Sequence, residues 1–302
     1  MVTPLGSVPW IHGAQDCGRS TDPLIQEHPF DEDTFVLRLS KCFSFEGNFV
    51  YLLFGDARAI LFDTGAGPDP GARDRVLPIR RVVDEIVARW SRRRGLEAIE
   101  LVVAHTHGHR DHVFWDRQFR GRPRTTVVPP TLSGVQRFFR LPDWPDGQAR
   151  LDLGGRTLTV FPVPGHESSH IATYDSRTRS LLTGDTLYPG LLTVREWPAY
   201  RRSAARLARF AEDHEVALVL GSHIEMTDEP GKAFPLGTTH QPDEHPLPLG
   251  AQHIAELHAA CEAMGASPRV DVHDDFVIQP LGRGGTAGGT PSRRSARPDA
   301  AG

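Results

Sequence analysis

Three imidazoles and a carboxylate fall within six residues at His107-Gly108-His109-Arg110-Asp111-His112. Neutral imidazole nitrogen and carboxylate oxygen form the ligand set expected of Zn2+, and Fe or Mn accept the same donors. Short His-rich tracts lean towards metal binding. The spacing sorts the four groups. His107 and His109 alternate across Gly108, so one tight loop can aim both at a single ion. Asp111 and His112 follow at once and point elsewhere, towards a second ion.

The elements that must position this loop can be read on either side of it. The apolar run Leu101-Val102-Val103-Ala104 precedes it, so a buried strand over Ile99 to Val103 delivers the cluster to a sheet edge. Upstream, Thr34 to Leu39 is strand-like. Asn48 to Phe54 and Arg58 to Phe62 form a hairpin about Gly55-Asp56. A helix starts near Pro78, with Ile79, Val82, Val83, Ile86, Val87 and Trp90 on one face. Arg92-Arg93-Arg94-Gly95 ends it with cations at the negative helix terminus and a glycine beyond, which accounts for the arginine run without a phosphate. Downstream, strands are expected over Thr125 to Val128 and Arg156 to Val163. Others follow around Ala172 to Tyr174, over Ser180 to Leu182 and over Val216 to Leu220. The helix beginning at Pro198 turns Tyr200, Ala204, Leu207 and Ala211 inward. Another, Ala251 to Met264, does so with Ile254, Leu257, Cys261 and Met264, which makes Cys261 a packing residue. A last strand is expected within Val270 to Ile278. Between the strands, Thr131 to Asp146 carries Phe138, Phe139, Leu141 and Trp144 among prolines, as core or as a pocket wall.

Composition sets the frame. A chain of 302 residues with 39% hydrophobic and 24% charged residues can bury a large core. A net charge of −4 argues against a nucleic-acid partner, and no apolar run reaches membrane-spanning length. Almost all the positive charge is arginine; Lys41 and Lys232 are the only lysines. Three widely spaced cysteines (Cys17, Cys42, Cys261) make a disulfide framework unexpected. With no basic segment leading into an apolar one at the start, the expectation is a cytoplasmic protein. Residues 1–33, rich in Pro, Gly, Asp and His without a period, read as an irregular arm. Residues 34–282 read as one domain and 283–302 as a disordered tail. The polar stretch 226–248 is long enough for a functional loop over a site.

The pattern His107-x-His109-x-Asp111-His112 resembles HxHxDH, the signature of the metallo-β-lactamase-fold hydrolases. Further pieces match in order over roughly residues 34 to 225: Asp63-Thr64-Gly65, Pro164-Gly165-His166, Thr183-Gly184-Asp185 and Gly221-Ser222-His223, each after a strand-like run. The resemblance implies an αββα sandwich of two mixed β-sheets flanked by helices. It implies two metal ions, zinc first and Fe or Mn as alternatives. His107, His109 and His166 would hold one ion, Asp111, His112 and His223 the other, with Asp185 bridging. Asp63 would support the loop from behind, and His170 would be a pocket or supporting group. The implied reaction is hydrolysis of an ester, thioester or lactone of a small-molecule substrate by a metal-activated hydroxide. Thr183-Gly184-Asp185-Thr186-Leu187 looks most like the thioesterase branch that includes glyoxalase II. Tyr188, three residues past the bridging Asp, is similar to a leaving-group tyrosine of the lactonases. Asp111 and Tyr188 are thus the candidate catalytic groups. An iron oxidoreductase of the persulfide dioxygenase type is the alternative on the same motifs. A β-lactam hydrolase is a further one, although those carry Cys or Ser where this chain has Asp185.

Overall fold

Strand side chains alternate between faces, and here each face meets a different partner. The computed structural model describes residues 3–281. A first sheet contains β1 (Ile25–Asp31), β2 (Thr34–Leu39), β3 (Phe49–Phe54), β4 (Arg58–Phe62), β5 (Glu100–Ala104) and β6 (Thr125–Val127), in that spatial order. β1 to β4 form an antiparallel meander, and β4, β5 and β6 run parallel. Helix α1 (Ile79–Arg93) makes the crossover from β4 to β5. The metal-loop region follows with the short α2 (Arg110–Val113), and α3 (Leu132–Phe139) lies beyond β6.

The second sheet contains β7 (Ala149–Asp152), β8 (Thr157–Pro162), β9 (Ile171–Asp175) and β10 (Ser180–Gly184). The chain then leaves it through β11 (Leu191–Val194) and α4 (Trp197–Asp213), and returns as β12 (Leu218–Gly221), parallel to β10. The two-residue β13 (Pro248–Leu249) closes the edge beyond β12. After α5 (Ala251–Met264), β14 (Asp271–Val272) and β15 (Val277–Pro280) join β11 in a small third sheet.

Three apolar layers result. Val36, Tyr51, Ile60, Phe62 and Val102 of the first sheet meet Leu158, Val160, Leu182 and Leu220 of the second. On the outer face of the first sheet, Leu37, Leu52, Leu61 and Val103 pack on Val83, Ile86, Val87 and Trp90 of α1. On the outer face of the second, Phe161, Leu181 and Val219 pack on Tyr200, Ala204 and Leu207 of α4 and on Ile254, Leu257 and Cys261 of α5. At roughly 1.5–3 kcal/mol per buried large apolar side chain, these layers fix the sheet-to-sheet register. The fold is the expected αββα sandwich, extended by the small third sheet.

Two expectations need correction. Residues 1–33 are not irregular throughout, because 25–31 form β1 on the edge of the first sheet, paired Ile25 to Leu39 and His28 to Val36. Pro29 sits there as an edge position allows, having no ladder hydrogen to give. Second, Cys17 and Cys42 form a disulfide with Cα atoms 5.1 Å apart. It ties the arm to the β2–β3 loop, and the odd cysteine count arises because Cys261 is the buried free thiol. Among the described residues no helix is long and apolar enough to cross a membrane. The tail expected from Arg283 lies outside the described residues.

Candidate metal centre

Every candidate donor sits just past a strand end on one edge of the sandwich. His107 and His109 follow β5, His166 follows β8, Asp185 follows β10 and His223 follows β12, while Asp111 and His112 open α2. Two groups form, His107 with His109 and His166, and Asp111 with His112, Asp185 and His223. Within each, the ligand atoms lie within 4.8 Å of one another. His109 Nδ1 is 2.9 Å from both His107 Nε2 and His166 Nε2. Asp185 stands between the groups. Its Oδ2 is 3.5 Å from His166 Nε2, 3.5 Å from His112 Nε2 and 3.9 Å from His107 Nε2, and its Oδ1 is 3.4 Å from His223 Nε2.

The outer ring nitrogens decide what the inner ones present. His166 Nδ1 donates to Thr193 O (2.8 Å), His223 Nδ1 to Glu46 O (2.9 Å) and His112 Nδ1 to Asp63 Oδ2 (2.8 Å). When neutral, each ring so held turns an unprotonated Nε2 inward. Asp63 also accepts from Thr106 N at 2.8 Å and from Thr106 Oγ1 at 2.9 Å, so it anchors the start of the metal loop as well as His112. Its φ of 70° is a left-handed conformation that Asp and Asn tolerate better than most residues. His170 belongs to neither group. Its ring stacks on His107 at 4.6 Å and its Nε2 accepts from Asp185 N at 3.1 Å, which is the supporting place expected for it. Gly184 is required here: its φ is +50°, and a Cβ would meet Thr106 Cβ and His170 Cε1 at 2.8 Å.

Electrostatics tests whether a cation fits. Inward lone pairs on His112 and His223 face carboxylate oxygens, an arrangement that repels unless positive charge lies between. His112 Nε2 is 2.9 Å from Asp111 Oδ2, and both it and Asp185 Oδ1 are buried without a hydrogen-bond partner. Burial disfavours charge on His112 and His223. The carboxylates of Asp111 and Asp63 beside the first, and Asp185 and Asp111 beside the second, outweigh it and hold both imidazoles well above the usual histidine range. The Asp185 carboxyl is correspondingly held well below its usual range by His223, His112 and His107, against the opposing effect of burial. Burial, with His166 beside it, pushes His109 down to about 4, a neutral ring ready to donate a lone pair. The donor set therefore fits divalent cations, which would satisfy the same lone pairs and carboxylates without protons.

Tyr188 lies at the second group with its ring 5.7 Å from that of His223. Its hydroxyl is within hydrogen-bond reach of Leu191 O (2.9 Å) and Glu225 Oε2 (2.8 Å), and the residue is buried. Burial, then the Glu225 carboxylate, pushes its pKa well above the usual tyrosine range. Sequence reasoning missed the carbonyls of Glu46 and Thr193, which orient two of the histidines; a backbone carbonyl leaves no residue-type signal. The 226–248 loop is tied to the N-terminal arm by the Gly13–His240 bridge and by Gln241 N donating to His12 O at 2.9 Å.

Strand-end donors gathered on one edge of an αββα sandwich define a candidate metal site. The metallo-beta-lactamase superfamily model matches residues 44–223, and the chain belongs to that superfamily. Hydroxyacylglutathione hydrolase of Chromohalobacter salexigens is 31% identical over 184 residues, 60% of this chain and 63% of that one. The enzyme of that name from Synechococcus sp. is 31% identical over 145 residues, 47% and 50% of the two chains. The chain thus spans about half to two thirds of the length of these relatives. Acyl-coenzyme A thioesterase MBLAC2 of Bos taurus is 26% identical over 210 residues, 58% and 72% of the two. Among solved structures, the DIM-1 metallo-beta-lactamase exposed to ceftazidime has a TM-score of 0.50 at 16% identity, covering 82% of this chain and 100% of that one. The metallo-beta-lactamase from Hirschia baltica has a TM-score of 0.50 at 14% identity, with 79% and 98% covered. At such identities the likeness is one of fold.

Proposed function

We propose that this protein is a dinuclear metal-dependent hydrolase of small-molecule thioesters. The carrying observation is the convergence of seven donors into two groups with Asp185 between them. His107, His109 and His166 would hold one ion, and Asp111, His112 and His223 the other, with zinc the first choice for an N/O donor set. When bound, the ions would polarise the scissile carbonyl and supply a hydroxide nucleophile at neutral pH.

The chain's own residues do the rest. Asp63, Glu46 and Thr193 fix the tautomers of His112, His223 and His166. Asp111 keeps 23% of its side chain exposed against 9% for Asp185, so of the two carboxylates it is the one that can pass a proton to solvent. Tyr188 has its hydroxyl committed to Leu191 O and Glu225. That commitment favours the packing role for its ring and, with it, a substrate whose leaving group needs no donor. A thiolate is such a group; a lactone alkoxide is not. The names of the relatives, a hydroxyacylglutathione hydrolase and an acyl-coenzyme A thioesterase, support the same choice. The Cys17–Cys42 disulfide favours an oxidising compartment over the cytoplasm expected from the sequence.

A panel of glutathione and coenzyme A thioesters, aryl esters and lactones tests this, with thiol release followed spectrophotometrically. Thioesters should turn over fastest. Asp185→Asn should lower turnover by more than the ~10–100-fold typical of losing a group behind a ligand. Oxygen consumption with bound iron and no thioester turnover would replace the hydrolase by the oxidoreductase alternative.

A further inference from the structure

Lys41 is one of two lysines in the chain and is only 1% exposed. Its ammonium donates to the carbonyl of Phe45 at 2.8 Å. Burial and the neighbouring Arg38 push its pKa down to about 8, against the pull of Glu244, Glu225 and Glu46. A cation so placed is a poor stabiliser, since well-packed apolar replacements of buried charges are often neutral or stabilising. Its surroundings point to another role.

The carbonyl that Lys41 holds belongs to the peptide next to the one that orients His223. Phe45 O accepts from Lys41, and Glu46 O accepts from His223 Nδ1 at 2.9 Å. On the other side, Asp69 Oδ2 accepts from Phe45 N at 2.7 Å, so the turn is clamped between a cation and an anion. Gly47 then lies directly on the lysine stem, with φ +51°; a Cβ there would stand 2.6 Å from Lys41 Cγ. Arg38 flanks the same turn, paired to Glu244 at 2.7 Å and set over the Phe49 ring at 4.3 Å. Phe49 N in turn donates to Ser222 O at 2.8 Å, one residue before His223.

We propose that Lys41 is a positioning residue for the second metal site, acting through the Phe45–Glu46 turn to fix the orientation and tautomer of His223. The inference rests on the dinuclear reading given above. Of the imidazole donors the turn orients only His223, which belongs to the second group, so the effect of Lys41 falls on that ion.

The test is zinc affinity by chelator competition on the full-length chain and on Lys41→Met, with the melting temperature of each measured in chelator. The unmodified chain should bind two equivalents. Lys41→Met should weaken the second equivalent by ~10–100-fold, the usual cost of losing an outer partner. The first equivalent should be preserved, and the melting temperature in chelator should not fall. Lys41→Gln, which keeps a donor but shortens the reach, should give the same split and serves if the Met variant is insoluble. Two equivalents bound by the variants as tightly as by the unmodified chain would overturn the inference while leaving the dinuclear reading intact. Equal loss at both sites with a lowered melting temperature would make Lys41 structural only and also overturn it. Fewer than two equivalents on the unmodified chain would overturn the dinuclear reading, and the inference with it.

Discussion

Asp63→Asn isolates one atom of the support behind the metal loop. Asp63 Oδ1 accepts from Thr106 N at 2.8 Å; Oδ2 accepts from His112 Nδ1 at 2.8 Å and Thr106 Oγ1 at 2.9 Å. In the Asn variant the oxygen can stay on Thr106 N, and the amide nitrogen then takes the place of Oδ2. Thr106 can rotate its hydroxyl to accept, but His112 Nδ1–H would face another donor. One charge-assisted bond is therefore lost, worth about 1.5–3 kcal/mol, and the bond to Thr106 N becomes a neutral one. Asn tolerates the left-handed backbone found at this position, so strain does not confuse the comparison. The expected loss is about 2 kcal/mol in urea denaturation with chelator present. Binding of the second zinc should also weaken by at least ~10-fold, because His112 must surrender its inward lone pair to relieve the clash. Stability within about 0.5 kcal/mol of the parent, together with unchanged zinc binding, would refute the reasoning.

Three more outcomes are expected. Tyr188→Phe should lower thioester turnover by far less than the ~100-fold attached to losing a catalytic oxyanion donor; a loss of that size would restore Tyr188 to the catalytic role. Opening the Cys17–Cys42 bridge, which closes a separation of 25 residues, by replacing both cysteines with serine should cost about 3 kcal/mol. Urea denaturation with and without reductant checks this, and the double variant should be insensitive to reductant. Because the Lys41 pKa is lowered from 10.5 to about 8 on folding, the unfolded chain holds the extra proton between those values and stability rises with pH there. Relative to Lys41→Met, the parent should therefore gain up to about 3 kcal/mol between pH 8 and pH 10.5; parallel stability curves would contradict the burial of a charged lysine.

Much of the architecture was legible because strand and helix faces carry strong periodicities. β2 and β4 fall at the residues expected, β3 differs only in starting at Phe49 rather than Asn48, and α5 spans Ala251–Met264 as read. All seven donors converge because each sits at a strand end or helix start that the apolar runs already mark. β1 was hidden by Pro29 and by an apolar pattern too sparse to show a period, and it is an edge strand held by a single neighbour. β7, β11 and β13 are two to four residues long, too short for alternation to stand out. The disulfide was masked by Cys261, a third cysteine that serves as packing in the core under α5. What orients the histidines was least legible of all. The carbonyls of Glu46 and Thr193 act through backbone placed by distant contacts, so nothing in the residue types announces them.

Anomalous scattering from crystals of the zinc-loaded protein tests the central claim most directly. Two peaks roughly 3.5–4 Å apart are predicted, as two-metal sites require. One should lie among His107, His109 and His166, the other among Asp111, His112 and His223, with Asp185 touching both. A single peak, or peaks away from these residues, would contradict the account.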